Sequence, residues 1–330
     1  LDAGAIERER DVILREQEEV DKIMEEVTFD HLHAMAFQDH SLGKTILGPR
    51  ENILGLQKDD LAGYIKQNYT ADRMVLVGAG GVDHDSLVKL AEKEFGALKS
   101  SSESAASFPV KDLVPRFFGS EVRVRNDTMP TAHIALAVEG VGWTHPDYYP
   151  LLVLQSIIGS WDRSLGAATH VSSPHLVKNI VENQLANSYM SFNTSYRDTG
   201  LWGIYLVSEN KMHLDDLEFV VQQEWNRCSN SLQQAEVVRA KQGLKSAMIL
   251  GLDGGTAIAE DIGRQLVCGY GRRVEPTEVG QLIDNVSLSD VTRVAKEYLW
   301  DREVAVVGVG PVESMADYQR IRGWMSWNRL

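Results

Sequence analysis

The chain has 330 residues, 43% of them hydrophobic and 24% charged, which is the composition of an ordinary globular protein of about two domains and excludes collagen-like and low-complexity chains. Its 47 acidic and 33 basic residues give a formal charge of −14, and no basic block is interleaved with aromatics; nucleic acid is a poor partner and a cationic ligand such as a basic peptide a better one. Two cysteines exclude a disulfide framework and favour a reducing compartment, and no apolar run approaches the ~18 residues that a membrane-spanning helix needs.

In chain order, Ala5 to about Asp30 reads as one long helix. A loop through Gly48-Pro49 leads to a second helix that Asp59 or Asp60 could cap; Met74 to Gly78 reads as a strand and Ser86 to Gly96 as a helix stopped by glycine. Lys99 to Pro109 is rich in Ser and Ala without apolar periodicity, which predicts a linker over 100–116 between domains 1–99 and 117–330. Beyond it, strands are predicted at Glu121 to Arg125, Ala132 to Val138, Leu201 to Val207 and Val304 to Val309. Helices are predicted at Tyr149 to Ile158, Gln234 to Leu250, Ala257 to Cys268 and Leu288 to Tyr298. Without strict βαβ alternation the pattern indicates an α+β fold, a mixed sheet with helices packed on it.

An internal repeat links the two halves. Asp60-Leu61, Lys66, Tyr69, Asp72-Arg73, Val75, Gly78 and Gly80 match Asp290-Val291, Lys296, Tyr298, Asp301-Arg302, Val304, Gly308 and Gly310 at an offset of about 230. If the second copy opens near Phe117, the first would open about 112 positions before Leu1, so the first of two structurally related domains is expected to be incomplete and to expose a sheet edge or hydrophobic face. Gly78-Ala79-Gly80-Gly81 lacks the third glycine of a dinucleotide loop, because position 83 is Asp; the better account is a turn that ends a strand sharply.

In the first helix Ile6, Glu9, Ile13, Glu16, Val20, Met24 and Val27 recur at spacings of three or four, forming one stripe with two carboxylates in it. Glu9 and Glu16 differ by only about 20° around the axis and stand about 10 Å apart along it. Burying them requires a cation, a metal or a water-filled cleft; the alternative is a rim position paired to Arg or Lys of a neighbouring element. The repeat carries Glu9 to Val238 or Arg239 and Glu16 to Lys245 or Ser246, so the shared fold does not require either acid.

The run Ile6-Glu7-Arg8-Glu9-Arg10-Asp11-Val12-Ile13-Leu14-Arg15-Glu16, with Glu26-Val27-Thr28-Phe29-Asp30-His31-Leu32-His33, Met129-Pro130-Thr131-Ala132-His133, Gly159-Ser160-Trp161-Asp162-Arg163 and Leu252-Asp253-Gly254-Gly255-Thr256, resembles the mitochondrial processing peptidase family of inverted-motif zinc peptidases. The family includes the core proteins of the cytochrome bc1 complex, and the likeness runs along essentially the whole chain.

The resemblance implies two related domains and a zinc endopeptidase that removes basic N-terminal presequences from proteins imported into the mitochondrial matrix. A catalytic β subunit would work there with a noncatalytic α subunit, the matrix face of the inner membrane being a second possible address. It makes Glu16 the distal zinc ligand and Glu9 the second glutamate supporting catalysis, and it makes Glu26 and Asp30, four apart on one helix face, the grip on the arginine before the cleavage point. The alternative is a structural core protein of the bc1 complex on the same fold. None of the nine histidines lies in a His-x-x-Glu-His, and His31-Leu32-His33 does not replace it, because residues i and i+2 point to different helix faces. In the family that motif precedes the distal glutamate by more residues than lie before Glu16 here, so the 330-residue chain alone is expected to bind no zinc tightly and to cleave nothing.

Overall fold

The computed structural model describes residues 1–100, 115–168 and 174–326; most of the expected linker and His170 lie outside the described residues. The chain forms two compact units, one of Leu1–Lys22, Thr45–Val114 and Ile249–Val274, the other of Ile23–Lys44, Pro115–Met248 and Glu275–Leu330. The units interleave where the sequence suggests one boundary: residues 23–44 cluster with the second and 249–274 with the first.

Among the described residues the α-helices are α1 (Ala3–Val20), α2 (Met24–Ala36), α3 (Arg50–Gly55), α4 (Lys58–Asn68), α5 (His84–Phe95), α6 (Tyr148–Ile158), α7 (His175–Glu182), α8 (Leu214–Asn230), α9 (Gln234–Gly251), α10 (Gly255–Cys268), α11 (Pro276–Asn285), α12 (Leu288–Tyr298) and α13 (Tyr318–Trp324). The strands are β1 (Glu121–Arg125), β2 (Ala132–Gly140), β3 (Ser160–Asp162), β4 (Ser188–Ser195), β5 (Gly200–Ser208) and β6 (Ala305–Gly310).

All six strands among the described residues join one sheet in the second unit, ordered β1-β6-β2-β5-β4-β3, with β1 parallel to β6 and the other pairs antiparallel. This is the mixed sheet of an α+β fold. The central strands are buried almost throughout, because helices cover both faces. Alternation sorts their side chains: Ala135, Ala137, Tyr205 and Val307 pack with Leu32, Ala36 and Phe37 of α2 and its end, whereas Trp202 points the other way, donates Nε1–H to Leu151 O of α6 at 3.1 Å and meets Trp225 of α8 edge-on.

Two expectations need correction. The helix predicted from Ala5 to Asp30 is interrupted at Asp21-Lys22-Ile23, so the stripe from Ile6 to Val27 is not one helical face. Glu18 and Glu19 crowd the carbonyl end of α1, which has no basic residue in its last turn, while Glu25 and Glu26 favour a new amino-terminal end at α2. Met74 to Gly78 forms no strand; among the described residues the run has no sheet partner, and Met74, Val75 and Leu76 are exposed.

The repeat is nevertheless visible in local geometry. Helices α4 and α12 are each 11 residues long, and both begin in capping boxes, Gln57 with Asp60 and Ser287 with Asp290. Gly80 and Gly310 both adopt positive φ, 96° and 104°, and each accepts a hydrogen bond from the amide two residues on.

Candidate functional site

Helix α1 belongs to the first unit and starts at Asp2, whose side chain accepts the Ala5 amide at 2.8 Å. Its inward face is Ile6, Arg10, Ile13, Leu14, Gln17 and Val20, of which only Leu14 is buried. Arg10 fixes the helix: its guanidinium donates to Ile53 O and, at 2.9 Å, to Leu56 O at the carbonyl end of α3, where a cation is favoured. Gln17 adds a bond to Gly48 O at 3.0 Å. These two tethers escaped sequence reading, because an arginine and a glutamine on a charged helix carry no signal until their acceptors, more than thirty residues away, are known.

Glu9 and Glu16 are exposed and lie along the border of that face, not within it. Seven residues apart on an unbroken helix, they still share one side of α1.

Glu26 and Asp30 are also exposed, and lie on α2, in the second unit. The four predicted site residues are thus carried by two units, and the break at Asp21-Lys22-Ile23 means that no continuous helical count relates the α1 pair to the α2 pair. Opposite the acid pair, Thr28, Leu32, Met35 and Ala36 are buried, and Thr28 satisfies its hydroxyl on Met24 O at 2.6 Å. The Phe29 ring lies edge-on to Phe192 with centroids 4.9 Å apart and 5.8 Å from Tyr205. The Phe118 amide donates to Ala36 O at 2.9 Å and so satisfies a carbonyl at the end of the helix.

His33 is bonded at both ring nitrogens. In the neutral imidazole, because Phe29 O can only accept, Nδ1 is the nitrogen that donates, at 2.7 Å, and Nε2 accepts from the Tyr196 hydroxyl. Burial raises the Tyr196 phenol above its ordinary value, so that group keeps its proton and remains a donor. Deeper in the sheet the His133 imidazole, held neutral by burial, bonds Tyr205 at 2.6 Å and Thr131 at 2.9 Å. Burial raises the Tyr205 phenol, and the nearby Glu25 charge raises it further. The Tyr196 and Tyr205 phenols under α2 therefore both keep their protons at neutral pH.

A zinc site needs at least three protein donors converging on one point. Among the described residues no group of three or more His, Cys, Asp or Glu side chains is close enough to hold a metal ion. Glu16 is one exposed carboxylate, so the described residues do not by themselves fit zinc. Nor is any helix among them long and apolar enough to cross a membrane.

Comparison with known proteins gives this arrangement a context. Residues 1–50 match the model of the insulinase family, peptidase family M16, and residues 55–244 match the M16 inactive domain. Mitochondrial-processing peptidase subunit beta of Lentinula edodes is 59% identical over 327 residues, spanning 99% of this chain and 70% of that protein. The corresponding subunit of Blastocladiella emersonii is 56% identical, spanning 99% and 68%, and that of Homo sapiens 47%, spanning 100% and 66%. A chain in the structure of complex III2 from Candida albicans with Inz-5 bound superposes with a TM-score of 0.90 at 30% identity, over 97% of this chain and 74% of that one. The chain belongs to peptidase family M16, a family of zinc metallopeptidases, beside the β subunits of mitochondrial processing peptidase.

Proposed function

We propose that this chain is the β-type subunit of an endopeptidase that removes basic N-terminal presequences from proteins imported into the mitochondrial matrix, acting with an α subunit. In this reading Glu26 and Asp30 bind the arginine just before the cleavage point, Glu16 contributes one carboxylate to a zinc site, and Glu9 supports that site from one side of the same helix. Residues 1–99 and 117–330 are then two copies of one domain type joined by 100–116.

The observation that carries the reading is the acid pair. Two exposed carboxylates one helical turn apart, on a helix whose opposite face is locked into a sheet, present a rigid double acceptor. A guanidinium, with planar paired donors, matches it better than an ammonium does. The chain's charge of −14 also favours approach of a basic peptide.

The test uses the native gene product purified with its α partner. Each charge-assisted bond is worth about 1.5–3 kcal/mol, so Glu26→Gln or Asp30→Asn should lower kcat/KM for an arginine-bearing presequence peptide about ten- to a hundredfold. A peptide with that arginine replaced should already be poor and lose little more. Equal losses on both peptides would refute the assignment.

A second reading, a core protein of the respiratory bc1 complex, is favoured by the likeness to the complex III2 chain. Co-purification with bc1 subunits and no processing activity would select it over the first.

A further inference from the structure

We infer that His33 and Tyr196 are positioning residues for arginine recognition: their hydrogen bond fixes the rotation of α2 about its own axis and thereby the direction in which Glu26 and Asp30 point. The inference rests on the proposed role of that acid pair and adds two residues to it.

Helix α2 lies on the sheet of the second unit through apolar and aromatic contacts, Phe29, Leu32, Met35 and Ala36 against Phe192, Tyr205 and Val307 among others. Such contacts attract without direction, so they hold a helix close to a sheet more firmly than they fix its roll. A directional restraint is needed for that. At 100° per residue, Leu32 and Met35 stand about 140–160° from Asp30, whereas His33 stands only about 60° from it, on the margin between the buried face and the acid face. A side-chain hydrogen bond between α2 and the sheet side is made there, from the Tyr196 hydroxyl to His33 Nε2.

The tether is stiff at both ends. The imidazole is pinned to its own helix by the Nδ1–Phe29 O bond, and Phe37 packs against both rings, with centroids 6.3 Å from each. Tyr196 follows β4 directly, its backbone amide is bonded to Thr199 O at 2.8 Å, and its carbonyl accepts the Trp143 amide at 3.1 Å, so the hydroxyl is aimed by a fixed turn. Rotation of α2 by even 20° would swing carboxylate oxygens, which lie about 6–8 Å from the helix axis, by more than 2 Å. That is enough to lose a paired bond to a guanidinium.

The experiment is a selectivity measurement on the native gene product with its α partner. Tyr196→Phe removes one oxygen and keeps the ring. It should lower kcat/KM about three- to tenfold for the arginine-bearing peptide, chiefly through KM, while the arginine-replaced peptide loses less than twofold. His33→Leu should do the same; His33→Gln, whose amide oxygen can still accept from Tyr196, should restore most of the selectivity. Parallel losses on both peptides, or a Gln variant no better than Leu, would overturn the positioning role. Glu26→Gln and Asp30→Asn run alongside separate the two claims. If these lose no arginine selectivity the acid-pair reading fails; if they lose it and Tyr196→Phe does not, only the present inference fails.

Discussion

The two compact units contain copies of the same short sequence and treat them differently. Met74-Val75-Leu76-Val77-Gly78 in the first and Val304-Ala305-Val306-Val307-Gly308 in the second each follow an 11-residue capped helix, and each precedes a glycine at positive φ. The second run is β6, buried throughout between β1 and β2. Its counterpart joins no sheet among the described residues and exposes Met74, Val75 and Leu76. Caps and turns arise from bonds within a few residues, so both copies have them; a strand exists only where a partner supplies hydrogen bonds and cover.

The units differ in core as well. Among the described residues the buried apolar side chains of the first unit are Leu14, Ile53 and Val274, whereas the second buries both faces of its sheet. The comparison therefore assigns most of the folding free energy to the second unit. Trp202→Ala should show this most strongly: the side chain is fully buried and its indole N–H is bonded, so a loss of about 3–5 kcal/mol is expected in denaturant unfolding. A loss below about 1 kcal/mol would break the assignment.

The next largest effect is on pH dependence. The first unit keeps Glu9 and Glu16 at the surface, while the second buries Glu218 of α8, which accepts the Ala316 amide at 2.9 Å through one oxygen. Burial pushes this carboxyl up to about 8 from an ordinary 4.5, against the opposing Ala316 bond and the Arg123 charge; Glu121 and Asp215 add to the upward shift. Between those values the native state holds a proton that the unfolded chain has released. Its contribution is present below about 4.5 and is lost as pH rises through about 8, with a slope of up to roughly 1.4 kcal/mol per pH unit. Glu218→Gln keeps the acceptor and should flatten that part of the stability profile; an unchanged slope would mean that the proton is bound elsewhere.

The smallest effect sharpens the repeat itself. Val306→Ala removes two buried carbon atoms and should cost about 1–2 kcal/mol, whereas Leu76→Ala, in the exposed counterpart run, should change stability by no more than about 0.5 kcal/mol. Equal costs would show that the first-unit run is packed in solution.

Much of the fold was legible in advance. The bounds of β1 and of α12 match the sequence reading residue for residue, since alternation in Glu121 to Arg125 and the Ser287–Asp290 box are local signals. The sequence reading contains no counterpart of the strands β3 and β4 or of the helices α3, α7, α8, α11 and α13, and it runs α1 and α2 together because the apolar spacing continues across the break. Of the candidate site, sequence put Glu9 with Glu16 and Glu26 with Asp30 on shared helix faces, because a helical period relates residues only a few turns apart.

Burial and allegiance were decided by tertiary structure. Helix α2 packs on a sheet built from residues 121–310, so Glu26 and Asp30 belong to the second unit although only a short turn separates them from α1 in the first. The Arg10 tether and the His33–Tyr196 bond depend on groups between about 40 and 160 residues away. A sequence specifies its caps, turns and periodic faces by short-range hydrogen bonding, but which face is covered, and by what, depends on pairing between distant segments that no local window contains.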